Sequence, residues 1–150
     1  YTLFRRIGSI LRESAAIVLF TQQGDYFLRT TQGAAATNNP GTAAVTQALL
    51  VPIGINVRAF ITFQVAQSTV QEVVAWVSDL AATDATPALA TAISTLVAQA
   101  GAAVSNAACF VIVRTNTSAQ IRYRLSFSDA NTNVRWATQG WLDTRNRDAG

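Results

Sequence analysis

From Ile121 to Ser128, apolar and polar residues alternate without a break. Ile121, Tyr123, Leu125 and Phe127 take one side of an extended chain, while Arg122, Arg124, Ser126 and Ser128 take the other. Side chains of a strand point to opposite faces in turn, so this segment predicts a half-buried strand that presents two arginines together. Val57 to Val65 repeats the pattern, with Val57, Ala59, Ile61, Phe63 and Val65 as the core face. Shorter runs predict further strands at Phe4 to Leu11, Ile17 to Phe20, Tyr26 to Thr30, Ala44 to Val51, Val70 to Val77, Phe110 to Thr115 and Val134 to Thr138.

Turn-forming residues separate these runs. Gln23-Gly24-Asp25 joins two of them as a hairpin would, and Pro52-Ile53-Gly54 is a tight turn ahead of Val57. Thr37 to Gly41, Asn116 to Ser118 and Ser128 to Asn131 read as loops, and Ala34 to Ala36 reads as loop or edge. The stretch from Pro87 to Val104 supports two readings. Leu89, Ile93, Leu96 and Val97 recur at helical spacing behind Thr86-Pro87, yet Thr91, Ile93, Thr95 and Val97 are β-branched at alternate positions. The expectation is one all-β domain over residues 1–150. Its form would be an antiparallel, jelly-roll-like β-sandwich, with either a short helix or a strand near 87–100.

Composition then narrows the function. Half of the residues are hydrophobic but only 13% are charged, about half the usual share for a soluble domain. A surface so poor in charge suggests area hidden between subunits. All eleven basic residues are Arg and there is no His. The charges are scattered rather than clustered, which argues against a nucleic-acid partner. No apolar run reaches the length of a membrane-spanning helix.

Without His, no His-dependent dyad or triad can form. Cys109 is the only cysteine and lies in the apolar run Ala107 to Val113, where it reads as a small hydrophobe rather than a nucleophile. No phosphate-binding glycine loop and no acidic metal-binding spacing is present, so neither a cofactor nor a metal is expected. Asp79 and Asp84 are neighbours in the chain and could in principle form a glycosidase pair; turn and cap roles explain them more simply.

The better candidates are binding residues. Trp76, Trp136 and Trp141 each offer a flat face and an N–H for a sugar ring. Arg122, Arg124 and Arg145 could grip an acidic glycan. Each has a plainer role available. Trp76 and Trp136 lie in strand-like runs that suit the core, and Arg122 and Arg124 suit a solvated or subunit-facing sheet surface.

Several segments also resemble a family. Phe4-Arg5-Arg6-Ile7-Gly8-Ser9-Ile10 and Phe20-Thr21-Gln22-Gln23-Gly24-Asp25-Tyr26-Phe27 are similar to a pattern in tail-fibre-type virion proteins of tailed phages and prophages. Asn39 to Thr42, Leu50 to Gly54, Arg114 to Thr117 and Gly140 to Arg145 are similar to later parts of that domain; Asn146 departs from the Gly of its usual ending. The likeness is weakest from Val65 to Ala107. It implies the C-terminal domain of a longer virion protein on the particle exterior, in keeping with a chain that has no Met and starts at Tyr1. It further implies a homotrimer that contacts other virion proteins and a bacterial surface glycan, with no catalytic residues to carry over. The alternatives are a purely architectural virion component (a capsid decoration, head spike or baseplate protein) and, third, a polysaccharide depolymerase.

Overall fold

A computed structural model describes residues 8–99 and 105–144. Its strands are β1 (Arg12–Glu13), β2 (Ala16–Ile17), β3 (Phe20–Gln23), β4 (Tyr26–Asn38), β5 (Val45–Ala48), β6 (Arg58–Gln67), β7 (Val73–Ser78), β8 (Leu96–Ala98), β9 (Ser105–Arg114), β10 (Gln120–Leu125) and β11 (Thr132–Leu142). All pairings between them are antiparallel. A five-stranded sheet runs β3-β4-β11-β6-β9, a four-stranded sheet runs β5-β10-β7-β8, and β1 and β2 form a separate hairpin. The fold is an all-β sandwich, as the alternation predicts.

The alternation decides which residues fill the space between the sheets. Ala59, Ile61, Phe63 and Val65 of β6 face Ile121, Tyr123 and Leu125 of β10 and Val73, Ala75 and Val77 of β7 in one buried cluster. Burying each large apolar side chain contributes roughly 1.5–3 kcal/mol. Trp141 and Phe27 stack inside this core with centroids 5.3 Å apart and planes 5° from parallel, and Phe20 meets Trp141 edge-on. The Trp141 indole N–H donates to Ser9 Oγ at 2.9 Å, so its one polar atom is satisfied.

Turns follow their chemistry. Gly24 and Asp25 form the two-residue β3–β4 loop, and Gly24 takes φ +61 at the position where a type II′ hairpin needs it. Asn116 Oδ1 accepts from the N–H groups of Ser118 and Gln120, which closes the β9–β10 loop. The 87–104 stretch resolves, over its described part, into a three-residue 3-10 turn at Leu89–Thr91 followed by strand β8. In β8, Leu96 and Ala98 face the core and the β-branched Val97 between them is half-buried on the other side, which is the alternation of a strand.

Several predicted boundaries move. The Ile17 to Phe20 run splits between β2 and β3. The Val70 to Val77 strand begins at Val73, and Val70 is exposed. Of the Phe4 to Leu11 strand, residues 1–7 lie outside the described residues, and 8–11 are not strand. β4 continues past Thr30 through Ala34–Ala36, which form a sheet edge. Between the Leu28–Gly140 and Gly33–Thr138 pairs, Arg29 to Gln32 lie opposite Gln139 alone. This bulge is held by Arg29: Nε donates to the Thr31 carbonyl, Nη1 to the Leu50 carbonyl, and Nη1 and Nη2 grip both oxygens of Glu13 at 2.6 and 3.2 Å.

Candidate functional site

The ligand-facing roles expected for the tryptophans meet the packing first. Trp141 is wholly buried and Trp136 is 7% exposed, so neither offers a ring face to a sugar. This corrects the expectation for both. Each sits on the inward side of β11, and the hydrophobic gain of burying an indole outweighs any use at the surface. Trp76 lies on the outward side of β7, paired with Arg124 on β10, and the Arg122 guanidinium lies 6.0 Å from its ring centroid. Arg145 lies outside the described residues.

Arg122 and Arg124 do share a sheet face, as predicted, but their donors are engaged within the chain. The segment after β7 turns back over them. Arg122 donates to the carbonyls of Asp79 and Ala82 and to Ser78 Oγ, and its Nε lies 3.7 Å from Asp84 Oδ1. Arg124 Nη1 contacts Asp84 Oδ2 at 2.7 Å, and its Nε donates to the Thr42 carbonyl at 3.0 Å. Both arginine side chains are largely covered. Asp79 pairs in turn with Arg114 at 3.7 Å. The two carboxylates considered as an acid pair therefore each face arginine, and the cluster ties the loop to β10 of the four-stranded sheet and to the end of β9 in the five-stranded one.

The open surface lies on the other side of the molecule, on the outward face of the five-stranded sheet. The register builds it row by row across β4, β11, β6 and β9. Tyr26, Leu142, Arg58 and Arg114 form the first row, and Leu28, Gly140, Phe60 and Ile112 the second. Ala34, Ala137, Thr62 and Phe110 come next, then Ala36, Arg135, Gln64 and Ala108, and last Asn38, Asn133, Ala66 and Asn106.

Aromatic rings line one part of this face. Tyr26 stacks on Phe60 (5.8 Å, 16°), and Phe60 stacks on Phe110 (6.2 Å, 24°). Gly140 separates Leu28 from Phe60 in the register and adds no side chain there. Phe60 is buried only because its neighbours cover it, whereas Phe110 is 58% exposed, Ile112 57% and Tyr26 51%. A cluster of half-exposed large apolar side chains on one sheet face is unusual for an isolated domain.

Beside the rings the surface falls away into a depression of about 460 Å³ over Ala34, Ala36, Ala137, Thr62, Gln64 and Arg135. Methyl-sized side chains leave that space. Cys109 lies on the inward side of β9, packed against the core, and burial pushes its thiol above the ordinary value; it is not set up as a nucleophile. Among the described residues no cluster of metal-ligating side chains is found and no helix is long and apolar enough to cross a membrane.

Sequence reasoning missed this face. The signal was present: Phe60 falls out of phase in an otherwise alternating strand, and Cys109-Phe110-Val111-Ile112-Val113 is apolar on both sides. Comparison with protein-family models, curated proteins and solved structures gives no match.

Proposed function

We propose that this chain is an architectural module of a bacteriophage virion, of the tail-fibre or spike kind, that works as one of several identical copies and not as an enzyme. One contrast carries the reading. The groups able to hold a ligand, Trp136, Trp141, Arg122 and Arg124, are turned to internal use, while the exposed apolar side chains Tyr26, Phe110 and Ile112 gather on one sheet face. A ligand site is a concavity that encloses its apolar lining around a few convergent polar groups, whereas Tyr26, Phe110 and Ile112 stand exposed outside the depression. The low charge content agrees with subunit contact. The phage context rests on the sequence resemblance at Phe4 to Ile10, Phe20 to Phe27, Asn39 to Thr42, Leu50 to Gly54, Arg114 to Thr117 and Gly140 to Arg145.

A second reading, attachment to a bacterial surface glycan, is favoured by one feature. Arg135 is exposed at the rim of the depression beside the Gln64 amide, a donor set suited to an acidic sugar.

The test is fractionation of phage particles from a host carrying this sequence, followed by mass spectrometry. The expected result is that peptides of this chain co-sediment with intact particles at a constant ratio to the capsid protein. Recovery only from the soluble lysate would overturn the proposal. An array of acidic glycans probed with the purified chain and with Arg135→Ala separates the readings. Binding by the first that the second loses would move the weight to host attachment.

A further inference from the structure

The outward face of the five-stranded sheet carries a ridge at its β9 edge and a hollow that runs from β4 across β11 to β6, at matching heights. On β9 the ridge is Phe110 and Ile112. On β4 and β11 the hollow lies over Ala34, Ala36 and Ala137. Phe110 and Ala34 stand in the same cross-strand row, at opposite ends of it. We propose that this face binds a second copy of the chain, with Phe110 of each subunit seated in the Ala34–Ala36–Ala137 hollow of the other. The inference deepens the architectural reading and rests on it.

A two-fold axis parallel to the strands, lying between two such faces, brings β9 of one copy over β4 of the other and keeps each row opposite itself. Phe110 then meets the partner's Ala34, Ile112 meets the partner's Leu28, and Arg114 lies over the partner's Tyr26. Large side chains meet small ones, apolar meets apolar, and a cation meets an aromatic ring. Running the strands the other way would set the partner's polar Asn38–Asn133–Asn106 row against the Tyr26 row. Aligned sheet packing tolerates the crossing of about 30° that twisted sheets require.

The sizes agree as well. A cavity of about 150 Å³ accepts a benzene ring, and the hollow is about 460 Å³, so it holds a phenylalanine ring and part of a neighbour. The four strands β4, β11, β6 and β9, spaced ~4.8 Å apart and with about ten residues rising ~3.4 Å each, give a face of roughly 650 Å². A stable protein interface needs about that from each partner.

Sedimentation velocity on the 150-residue chain across the micromolar range, with circular dichroism to check the fold, tests the contact. A mass of twice 16.0 kDa is expected for the native chain. Phe110→Ala, which removes the ridge, and Ala36→Trp, which fills the hollow, should each weaken association by about tenfold or more. Both positions are exposed, so the fold should persist. Ile53→Glu, at an exposed apolar site in the β5–β6 loop, should change nothing.

Register is tested by cross-linking. With Cys109→Ala as background, Ala36→Cys plus Ala108→Cys, which share the next cross-strand row and leave Phe110 in place, should give an intermolecular disulfide on mild oxidation. Within one chain these positions are three strands apart, roughly 14 Å, beyond disulfide reach. A native chain that sediments at 16.0 kDa throughout, or association untouched by both Phe110→Ala and Ala36→Trp, overturns the proposal. In that case the face belongs to a different virion protein, and co-sedimentation with particles would still uphold the architectural reading.

Discussion

Gly140 shows how much one side chain can decide. A Cβ there would overlap the Phe27 carbonyl oxygen and come within 3.1 Å of Leu28 Cα, both backbone atoms of the neighbouring strand. Neither can move without opening the sheet beside the β4 bulge. Gly140→Ala should therefore cost about 1–3 kcal/mol, read as a lowered urea midpoint with an unchanged slope. Asp129 makes a prediction of a different kind. Desolvation alone would raise its carboxyl, but hydrogen bonds from the Asn131 N–H, Gln67 and Thr132 outweigh this and hold it below its ordinary value of 3.8. A depressed carboxyl contributes stability that is fully present above that value and is lost as pH falls through the folded-state pKa. The stability difference between the native chain and Asp129→Asn should be constant near neutral pH and shrink in acid below about pH 3.8. Urea titrations at several pH values would show it. At this scale the sequence was readable for Gly24 and the Asn116 turn, whose chemistry is local. It was not readable for Arg29, whose partners Glu13 and Leu50 are remote in the chain.

Among the elements, long strands were legible and their ends were not. β6 and β10 alternate cleanly because each has one face on the core, and their periodicity alone places them. β4 hid its length. Its bulge shifts the phase between Leu28 and Gly33, and the Ala34–Ala36 segment beyond lies on a sheet edge where little distinguishes inward from outward positions. β9 hid its role because an apolar run in an edge strand looks like a buried one. The bulge gives a prediction that belongs to the elements it joins. The β1–β2 hairpin is held to the five-stranded sheet through the Glu13–Arg29 pair, in which the arginine side chain is nearly buried and the carboxylate one-third exposed. Glu13→Gln leaves a guanidinium without its counter-charge. Solvent access to the glutamate limits the cost to about 1–2 kcal/mol, below the 3–5 typical of a fully buried pair. Hydrogen exchange should localise the loss to amides of β1, β2 and residues 29–33, and exchange spread evenly over the sandwich would refute that assignment.

On the scale of the whole molecule, the residues best suited to ligand chemistry by type turned out to be the ones most firmly enclosed. Residue type points to tryptophan and arginine as binders, but burial is settled by which strands become neighbours, and that order is not written in any local pattern. Strand order also has a consequence in time. β11 lies between β4 and β6, the two strands with which it shares its longest ladders, although it is made after all the other strands of both sheets. Until Thr132 to Leu142 have been synthesised, β4 and β6 have no strand to join them, and the five-stranded sheet stays split into a β3–β4 part and a β6–β9 part. Folding must wait for nearly the whole domain to leave the ribosome, with mostly long-range pairings that form slowly. A fragment that stops short of Thr132 would have apolar strands and no way to close its sheet, so a broken message yields material for proteases rather than a defective subunit that could enter an assembly.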